Sequence, residues 1–237
     1  MISYYLNLTF RDDRLAAFES AWGPLLPFKV TRVEAVDKRS LPDEYIAECQ
    51  SRLRNLMASP IMPEAAVLRG IIACSLSHLH TLQMALAAGI TERGLLIFED
   101  DARPLTGAEE LPQRIELALA AAPQAELIDC SEPCDKVAAA LAGFTAARGA
   151  QPWDVGADTS PIEGARASLA LAASSGTFCL WYSKQGAERM IRCLKGNEFL
   201  SIEGMKMVFA KQKRLLYLTP PVAYHPSRDL VGSDIIP

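Results

Sequence analysis

The chain has 237 residues, half of them hydrophobic and 22% charged, with a formal net charge of -4. This composition is ordinary for a globular protein with a sizeable core, and the slight acidity argues against nucleic acid as the main partner. The first seven residues lack the basic start of a secretory signal, and we expect no membrane span. The six cysteines are scattered, which favours reduced thiols over a disulfide framework. The sequence therefore predicts a cytoplasmic protein.

Apolar periodicity and turn residues predict eight elements before residue 131. In chain order they are a strand at 2–8, a helix at 11–22, a strand at 28–36, helices at 42–57 and 73–88, a strand at 95–98, a helix at 108–122 and a strand at 126–130. Gly89 directly follows the third helix and is predicted to cap it. The alternation of strands and helices is typical of an α/β sheet with helices on its faces.

The second half of the chain has a less regular pattern. It predicts a strand at 177–182, helices at 184–194 and 203–213, a strand at 215–218, a further helix within 131–142 and an irregular tail from residue 223. Residues 143–167 contain several breakers and show no clear period. A connection of this length is typical of a functional lid or a disordered segment.

Three carboxylates in a row, Glu99, Asp100 and Asp101, follow the apolar run 94–98. Side chains alternate along a strand, so we expect Glu99 and Asp101 on one side and Asp100 on the other. Closely packed carboxylates repel unless a cation neutralises them, and Mg²⁺ or Mn²⁺ prefers oxygen ligands. Ligands of open α/β sheets bind beyond the carboxyl ends of strands. The triplet therefore predicts a metal or phosphate-linked site, with a solvated acidic turn as the alternative.

Polar residues elsewhere in the first half are candidates for the same site. Asn7, Arg11 and Arg14 follow the first strand, where guanidinium groups can clamp a diphosphate through paired hydrogen bonds. Surface salt bridges are the alternative interpretation of the two arginines. His78 and His80 lie two residues apart on a predicted helix and point in nearly opposite directions. We therefore expect His78 alone to reach a site.

Two features of the second half also suggest binding. His225 follows the last predicted strand and is a candidate metal ligand, with an exposed histidine of no particular role as the alternative. Residues 184–214 carry eight lysines and arginines against three glutamates. Such a cationic run suits an anionic membrane surface or an anionic substrate, although a solvated helix face is commoner.

Five short motifs are spread over almost the whole chain: N-L-T-F-R-D-D-R at 7–14, C-S-L-S-H at 74–78, L-I-F-E-D-D-A at 96–102, Y-S-K-Q-G-A at 182–187, and His225 with Ser233 and Asp234. Together and in this order they resemble the motifs of glycosyltransferase family 25. That family includes bacterial lipooligosaccharide galactosyltransferases and the collagen galactosyltransferases. At 70–74 the chain reads G-I-I-A-C where the family usually has G-E-I-G-C.

The resemblance implies a GT-A-like fold, a single domain over 1–237 with a mixed, mainly parallel, Rossmann-like sheet flanked by helices. Residues 1–130 are then the nucleotide-sugar-binding half, and 131–237 the acceptor side, with 143–167 as a flexible loop that closes over the donor. The implied reaction is metal-dependent, inverting transfer of a hexose, with galactose expected, from a UDP-sugar to a bacterial surface glycan or glycolipid such as lipooligosaccharide. Peripheral contact with the inner face of the membrane fits this role.

The resemblance also implies roles for individual residues. Glu99 and Asp101 hold Mn²⁺ or Mg²⁺, with His225 as a further ligand, and the ion neutralises the leaving diphosphate. The residues expected to bind the donor are Asn7, Arg11, Arg14, Ser77, His78 and Asp100. Inversion needs a base that takes the proton of the acceptor hydroxyl, and Asp129 is the candidate. Its rivals for this role are Asp154, Asp158, Glu163 and Glu203. Asp100 is a second catalytic carboxylate.

Two other functions remain open from the sequence. One is a metal-dependent phosphohydrolase or phosphotransferase that uses the same acidic triplet. The other is a non-catalytic relative that binds glycans or partners, which the departure at 70–74 suggests. The sequence indicates neither the acceptor nor the oligomeric state.

Overall fold

The computed structural model describes residues 1–57, 63–132, 177–218 and 220–224. The strands are β1 Ile2–Asn7, β2 Thr31–Glu34, β3 Leu95–Glu99, β4 Arg103–Pro104, β5 Leu127–Asp129, β6 Cys179–Tyr182, β7 Leu215–Tyr217 and β8 Ala223–Tyr224. The helices are α1 Asp12–Trp22, α2 Asp43–Met57, α3 Ala65–Ala88, α4 Leu111–Ala121, α5 Lys184–Leu194 and α6 Ile202–Lys211, with short 3₁₀ turns at Lys38–Ser40 and Ala108–Glu110.

Six strands form one central sheet in the order β2-β1-β3-β6-β5-β7. β1 pairs in parallel with β2 and β3, and β5 pairs in parallel with β7. β6 runs antiparallel to both of its neighbours, β3 and β5. The sheet is therefore mixed and mostly parallel, which confirms the predicted α/β class.

Helices cover both faces of this sheet. β3 is buried along its apolar length because alternate side chains enter two different cores. Leu95 and Ile97 pack with residues of α2, α3, α5 and α6, whereas Leu96 and Phe98 pack with residues of α1 and α4. Residues with fully buried side chains therefore dominate the strand that leads to the acidic triplet.

An aromatic cluster fixes α1 against the sheet. The ring of Phe18 stacks on Tyr5 at 4.5 Å between centroids and meets Phe98 edge-on at 5.5 Å. The Trp22 indole Nε1 donates a hydrogen bond of 3.1 Å to the carbonyl oxygen of Ala102. These contacts hold α1 against both ends of the loop that follows β3. They therefore also fix the position of Arg14, which lies one turn before Phe18 on the same helix.

α3 is longer than the sequence pattern predicts. It begins at Ala65 instead of residue 73 and ends, as predicted, at Gly89, whose φ of 84° is left-handed. Pro60 and Pro63 predicted a loop before this helix, but the residues from Ala65 onwards already form helical turns. Among the described helices, α3 alone has the length and apolar composition of a membrane span, and half of its most apolar window is buried inside the protein.

A second, two-stranded sheet was missed by the sequence analysis. β4 pairs antiparallel with β8, and the backbone N–H of Leu105 donates to Val222 O at 2.8 Å. The prediction of an irregular tail from residue 223 is therefore wrong for its first two residues. The predictions for 131–142 beyond residue 132, for the loop 143–167 and for the rest of the tail lie outside the described residues.

Candidate functional site

The carboxyl edge of the central sheet gathers the polar ends of several strands. β1 ends at Asn7, β3 ends at Glu99 and β5 ends at Asp129, and all three point the same way. β6 runs in the opposite direction, so Thr177 and Phe178, which precede it, also reach this edge. A cleft of about 780 Å³, counted out to its open mouth, lies here. This is the place at which ligands of open α/β sheets bind.

The cleft is lined by both apolar and charged side chains. The residues that line it are Leu6, Leu8, Arg14, Ala35, Val36, Lys38, Gly70, Ala73, Cys74, Ser77, Glu99, Asp100, Asp101, Phe178 and Glu203. All three carboxylates of the acidic triplet therefore border one cavity. Lys38 forms no ion pair with a carboxylate among the described residues.

Asp100 and Asp101 share one guanidinium. Nη1 of Arg14 lies 2.9 Å from Asp100 Oδ1 and 3.2 Å from Asp101 Oδ2, and the three side chains are almost completely buried. The other oxygen of Asp100 accepts a hydrogen bond of 2.7 Å from the amide Nδ2 of Asn7. Both oxygens of Asp100 are therefore held by the protein, which fixes the orientation of this carboxylate.

The charge on this pair of carboxylates is only partly neutralised. Burial and the neighbouring Asp101 raise the pKa of Asp100 above its ordinary value of 3.8, although Arg14 and Asn7 act in the opposite direction. A bound cation would act against this shift, because it stabilises the charged form of a carboxylate.

The predicted alternation along the triplet is wrong. β3 ends at Glu99, and the chain then turns, so Asp100 and Asp101 both reach Arg14 while Glu99 points elsewhere. The alternation rule applies only as far as the strand continues. Glu99 and Asp101 thus occupy different parts of the cleft, and their shared metal ion stays a prediction.

Glu99 meets three polar side chains from α3 and from the approach to β6. Its Oε1 lies 3.4 Å from His78 Nε2 and 3.7 Å from the Sγ of Cys74, and it accepts a hydrogen bond from the hydroxyl of Thr177. The ligand atoms of Cys74, His78 and Glu99 lie within 4.8 Å of one another. Burial and the charge of Glu99 raise the pKa of the Cys74 thiol well above its ordinary value.

The two histidines of α3 point in different directions, as expected, and the role of His78 at a binding site stays a prediction. His78 is fully buried behind Glu99, whereas His80 is exposed. Ser77 lines the cleft, but its hydroxyl already donates to Ala73 O at 2.7 Å and accepts from the backbone N–H of Val36 at 2.8 Å. That hydroxyl joins α3 to the segment that follows β2, and the role of Ser77 in donor binding stays a prediction.

Arg11 lies apart from the other residues predicted to bind the donor. Its guanidinium forms an ion pair of 2.8 Å with Asp13 at the start of α1, and it does not line the cleft. Arg11 therefore forms a salt bridge near the surface, whereas Arg14 lines the cleft, and donor binding by either arginine stays a prediction.

Asp129 is engaged in a buried ion pair. Its Oδ2 lies 2.7 Å from Lys206 Nζ, both side chains are at most 3% exposed, and its Oδ1 accepts from the backbone N–H of Ser131. Burial alone would lower the pKa of Lys206, but the charge of Asp129 raises it above its ordinary value. Asp129 does not line the cleft. Its surroundings favour a structural role, and its role as general base stays a prediction.

Glu203 is the one rival base that lies among the described residues, and it lines the cleft from the first turn of α6. Burial raises its pKa above the ordinary 4.5, and the charge of Glu99 acts in the same direction against the lowering effect of Lys206. A carboxyl group with a raised pKa is a better proton acceptor at neutral pH. The other rivals, at 154, 158 and 163, and the predicted metal ligand His225 lie outside the described residues.

The cationic run 184–214 is partly used inside the protein. Arg189 and Arg214 both contact the carboxylate of Glu126, which is buried, and Lys206 is the buried partner of Asp129. Three of its eight cations therefore stabilise the fold, and membrane contact through the remainder stays a prediction.

Comparison of the chain with protein-family models and with curated proteins finds no match. The resemblance to glycosyltransferase family 25 therefore rests on the five motifs and their order, and it enters below as a proposal.

Sequence reasoning missed Cys74, Thr177 and Lys38 as residues of the site. Cys74 and His78 are four residues apart, so they lie on one face of α3, and this spacing was the available signal. Thr177 and Lys38 gave no signal, because only the sheet order brings their segments to the carboxyl edge.

Proposed function

We propose that this protein is a metal-dependent glycosyltransferase with a GT-A-like fold, which moves a hexose from a UDP-sugar to a glycan or glycolipid acceptor. The observation that carries the proposal is the convergence of the acidic triplet, Arg14 and Lys38 on one cleft at the carboxyl edge of the sheet. The order of the five motifs along the chain supports the same family.

The charges of the cleft suit a nucleotide diphosphate. Lys38, which forms no ion pair with a carboxylate among the described residues, brings positive charge to the cleft, and its ammonium group can donate hydrogen bonds to phosphate oxygens. The carboxylates of the triplet are oxygen ligands for Mn²⁺ or Mg²⁺, and such an ion, when bound, neutralises the charge that develops on the leaving diphosphate. The apolar residues Leu6, Leu8 and Val36 form a surface against which a base ring packs.

Within this proposal, Glu203 is the base that accepts the proton of the acceptor hydroxyl. It lines the same cleft as the triplet, from the first turn of α6, and its pKa is raised by burial. Asp100 then acts as a positioning residue, because both of its oxygens are held by Arg14 and Asn7.

The experiment is release of UDP from UDP-galactose and UDP-glucose, with Mn²⁺, with Mg²⁺ and with chelator. We expect slow, metal-dependent release without an acceptor, and loss of that release in Asp101→Asn but not in the exposed control Glu116→Gln on α4. Phosphate release from simple phosphate esters without UDP release selects the phosphohydrolase instead. Binding of glycans with neither activity selects the non-catalytic relative.

A further inference from the structure

Cys74, His78 and Glu99 form a compact group at the inner end of the cleft. Cys74 and His78 share one face of α3, and Glu99 ends the adjacent strand β3. All three ligand atoms lie within 4.8 Å of one another. We propose that these three side chains bind a divalent metal ion of the Zn²⁺ class.

The distances between the ligand atoms are compatible with coordination of one metal ion. Two edges of the group measure 3.4 Å, from His78 Nε2 to Glu99 Oε1, and 3.7 Å, from Cys74 Sγ to the same oxygen. The first is long for a hydrogen bond to an imidazole nitrogen, which is usually 2.7–3.2 Å. Zinc bond lengths of about 2.0–2.3 Å in a tetrahedron give ligand-to-ligand edges of about 3.3–3.6 Å. The group therefore needs only small movements to enclose an ion.

The histidine is not fully used by the fold. His78 is completely buried, and its Nδ1 has no hydrogen-bond partner among the described residues. Among the described residues, the one hydrogen-bond contact of this ring is the 3.4 Å approach of Nε2 to Glu99 Oε1, which is long for a buried polar group. Coordination of a metal ion through Nε2 would give this nitrogen a stronger partner than the carboxylate contact alone.

The ligand chemistry selects the metal. A thiolate with an imidazole favours Zn²⁺, Co²⁺ and similar ions, whereas Mg²⁺ and Mn²⁺ prefer sets made only of oxygen. When the ion binds, the Cys74 thiol loses its proton to solvent and the sulfur donates an electron pair to the metal.

The site leaves a coordination position open towards the cleft. Cys74 and Glu99 both line the cavity, and His78 closes the group from behind. Three protein ligands with one open position are typical of zinc sites that bind a substrate or water. The inference goes beyond the proposed sugar transfer, because it requires neither a nucleotide nor a reaction. A bound Zn²⁺ would, however, take Glu99 away from any Mn²⁺ or Mg²⁺ site.

The test uses metal alone. The chain is freed of metal with chelator and titrated with Co²⁺, and the sulfur-to-cobalt charge-transfer absorption is recorded, followed by displacement with Zn²⁺. We expect one equivalent of Co²⁺, a charge-transfer band, and loss of that band when Zn²⁺ is added. Excess Mg²⁺ should leave the band unchanged. Absence of the band from the unaltered protein overturns the proposal without any variant.

Matched variants assign the ligands. Cys74→Ser should abolish the band, whereas Cys193→Ser should keep it, because Cys193 is also a partly buried helical cysteine but lies on α5 outside the cleft. His78→Gln and Glu99→Gln should weaken binding by more than the 10- to 100-fold typical of losing an outer partner of a ligand. A band that persists in Cys74→Ser, or affinities unchanged in both other variants, contradicts the assignment. Far-ultraviolet circular dichroism identifies any variant that has not folded.

UDP titration separates this proposal from the transfer function. A protein that binds Co²⁺ at Cys74 but never binds UDP retains the metal site and loses the proposed reaction. A protein that binds UDP with Mn²⁺ but gives no thiolate band supports the transfer function and overturns the proposed metal site at Cys74.

Discussion

The carboxyl edge of the sheet carries two strand-terminal acids with opposite surroundings. Asp129 at the end of β5 is sealed by Lys206 at 2.7 Å and by a backbone N–H. Glu99 at the end of β3 opens on a cleft and meets only His78, Cys74 and Thr177 among the described residues. The sequence pattern is the same, an apolar strand that ends in an acid. The difference shows that the partner on the neighbouring element decides whether such an acid holds the fold together or remains available to a ligand.

Loss of the buried ion pair between Asp129 and Lys206 should lower the free energy of unfolding more than any other change considered. Lys206→Met leaves the carboxylate of Asp129 buried without its cation, and we expect a loss of about 3–5 kcal/mol in the free energy of unfolding. Urea denaturation followed by circular dichroism measures it. The double variant Lys206→Met with Asp129→Asn should recover part of the loss, because the uncompensated charge is gone. A single-variant loss below about 1 kcal/mol would mean that Asp129 has other access to solvent or cations.

An intermediate effect is expected for Arg14. Arg14→Met removes the shared guanidinium from Asp100 and Asp101, which costs about 1–3 kcal/mol because their acceptor oxygens lose a charged partner at the edge of a cleft. Mn²⁺ or Mg²⁺ in solution should restore part of that stability, since the freed carboxylates can then hold the ion. The same ions should leave Lys206→Met unchanged. If the ions stabilised Arg14→Met and Lys206→Met equally, the carboxylates of the cleft would not differ from Asp129 in their access to metal ions.

Glu99→Gln should change stability little, by less than about 1 kcal/mol, because no Lys or Arg is its partner among the described residues. The amide retains the hydrogen bond from Thr177 and removes a half-buried charge. Thermal unfolding of the metal-free protein measures the change. A loss as large as that of Lys206→Met would show that Glu99 holds the fold together.

The predictable parts of the fold were those with a strong local signal. The helix at 184–194 has the predicted bounds, and Gly89 ends α3 as expected, since amphipathic spacing and a left-handed glycine are local properties. The start of α3 was placed eight residues late, because the two prolines at 60 and 63 predicted a loop and drew attention away from the helix formers that follow. The strand pair β4–β8 joins segments more than a hundred residues apart, so no local pattern predicts it.

The site was predictable as an acidic edge but not as a set of contacts. The triplet, Asn7, Arg14 and His78 come together as expected. The pairing of Asp129 with Lys206 was not predictable, because the two belong to β5 and α6 and meet only in the folded chain. The turn after Glu99, and with it the separation of Glu99 from Asp101, depends on where β3 stops.

The smallest effect concerns pH. Because burial raises the pKa of Glu203 above its ordinary 4.5, the folded state binds this proton more tightly than the unfolded state. Stability contributed by Glu203 is therefore present below pH 4.5 and is lost as the pH rises through its folded-state pKa. Glu203→Gln should be more stable than the unaltered protein at neutral pH, and the difference should shrink on acidification. Unfolding curves measured from acidic to neutral pH test this. A Glu203→Gln variant that is less stable than the unaltered protein at neutral pH would contradict the cost of burying this charge.

Calorimetric titration of UDP into the protein, with and without Mn²⁺, tests the central claim most directly. We predict that UDP binds at least about tenfold more tightly with the ion, and that Asp101→Asn loses this gain while the exposed control Glu116→Gln keeps it. Absence of UDP binding, or binding that is independent of the ion and unaffected by Asp101→Asn, would contradict a metal-assisted diphosphate site at the acidic edge.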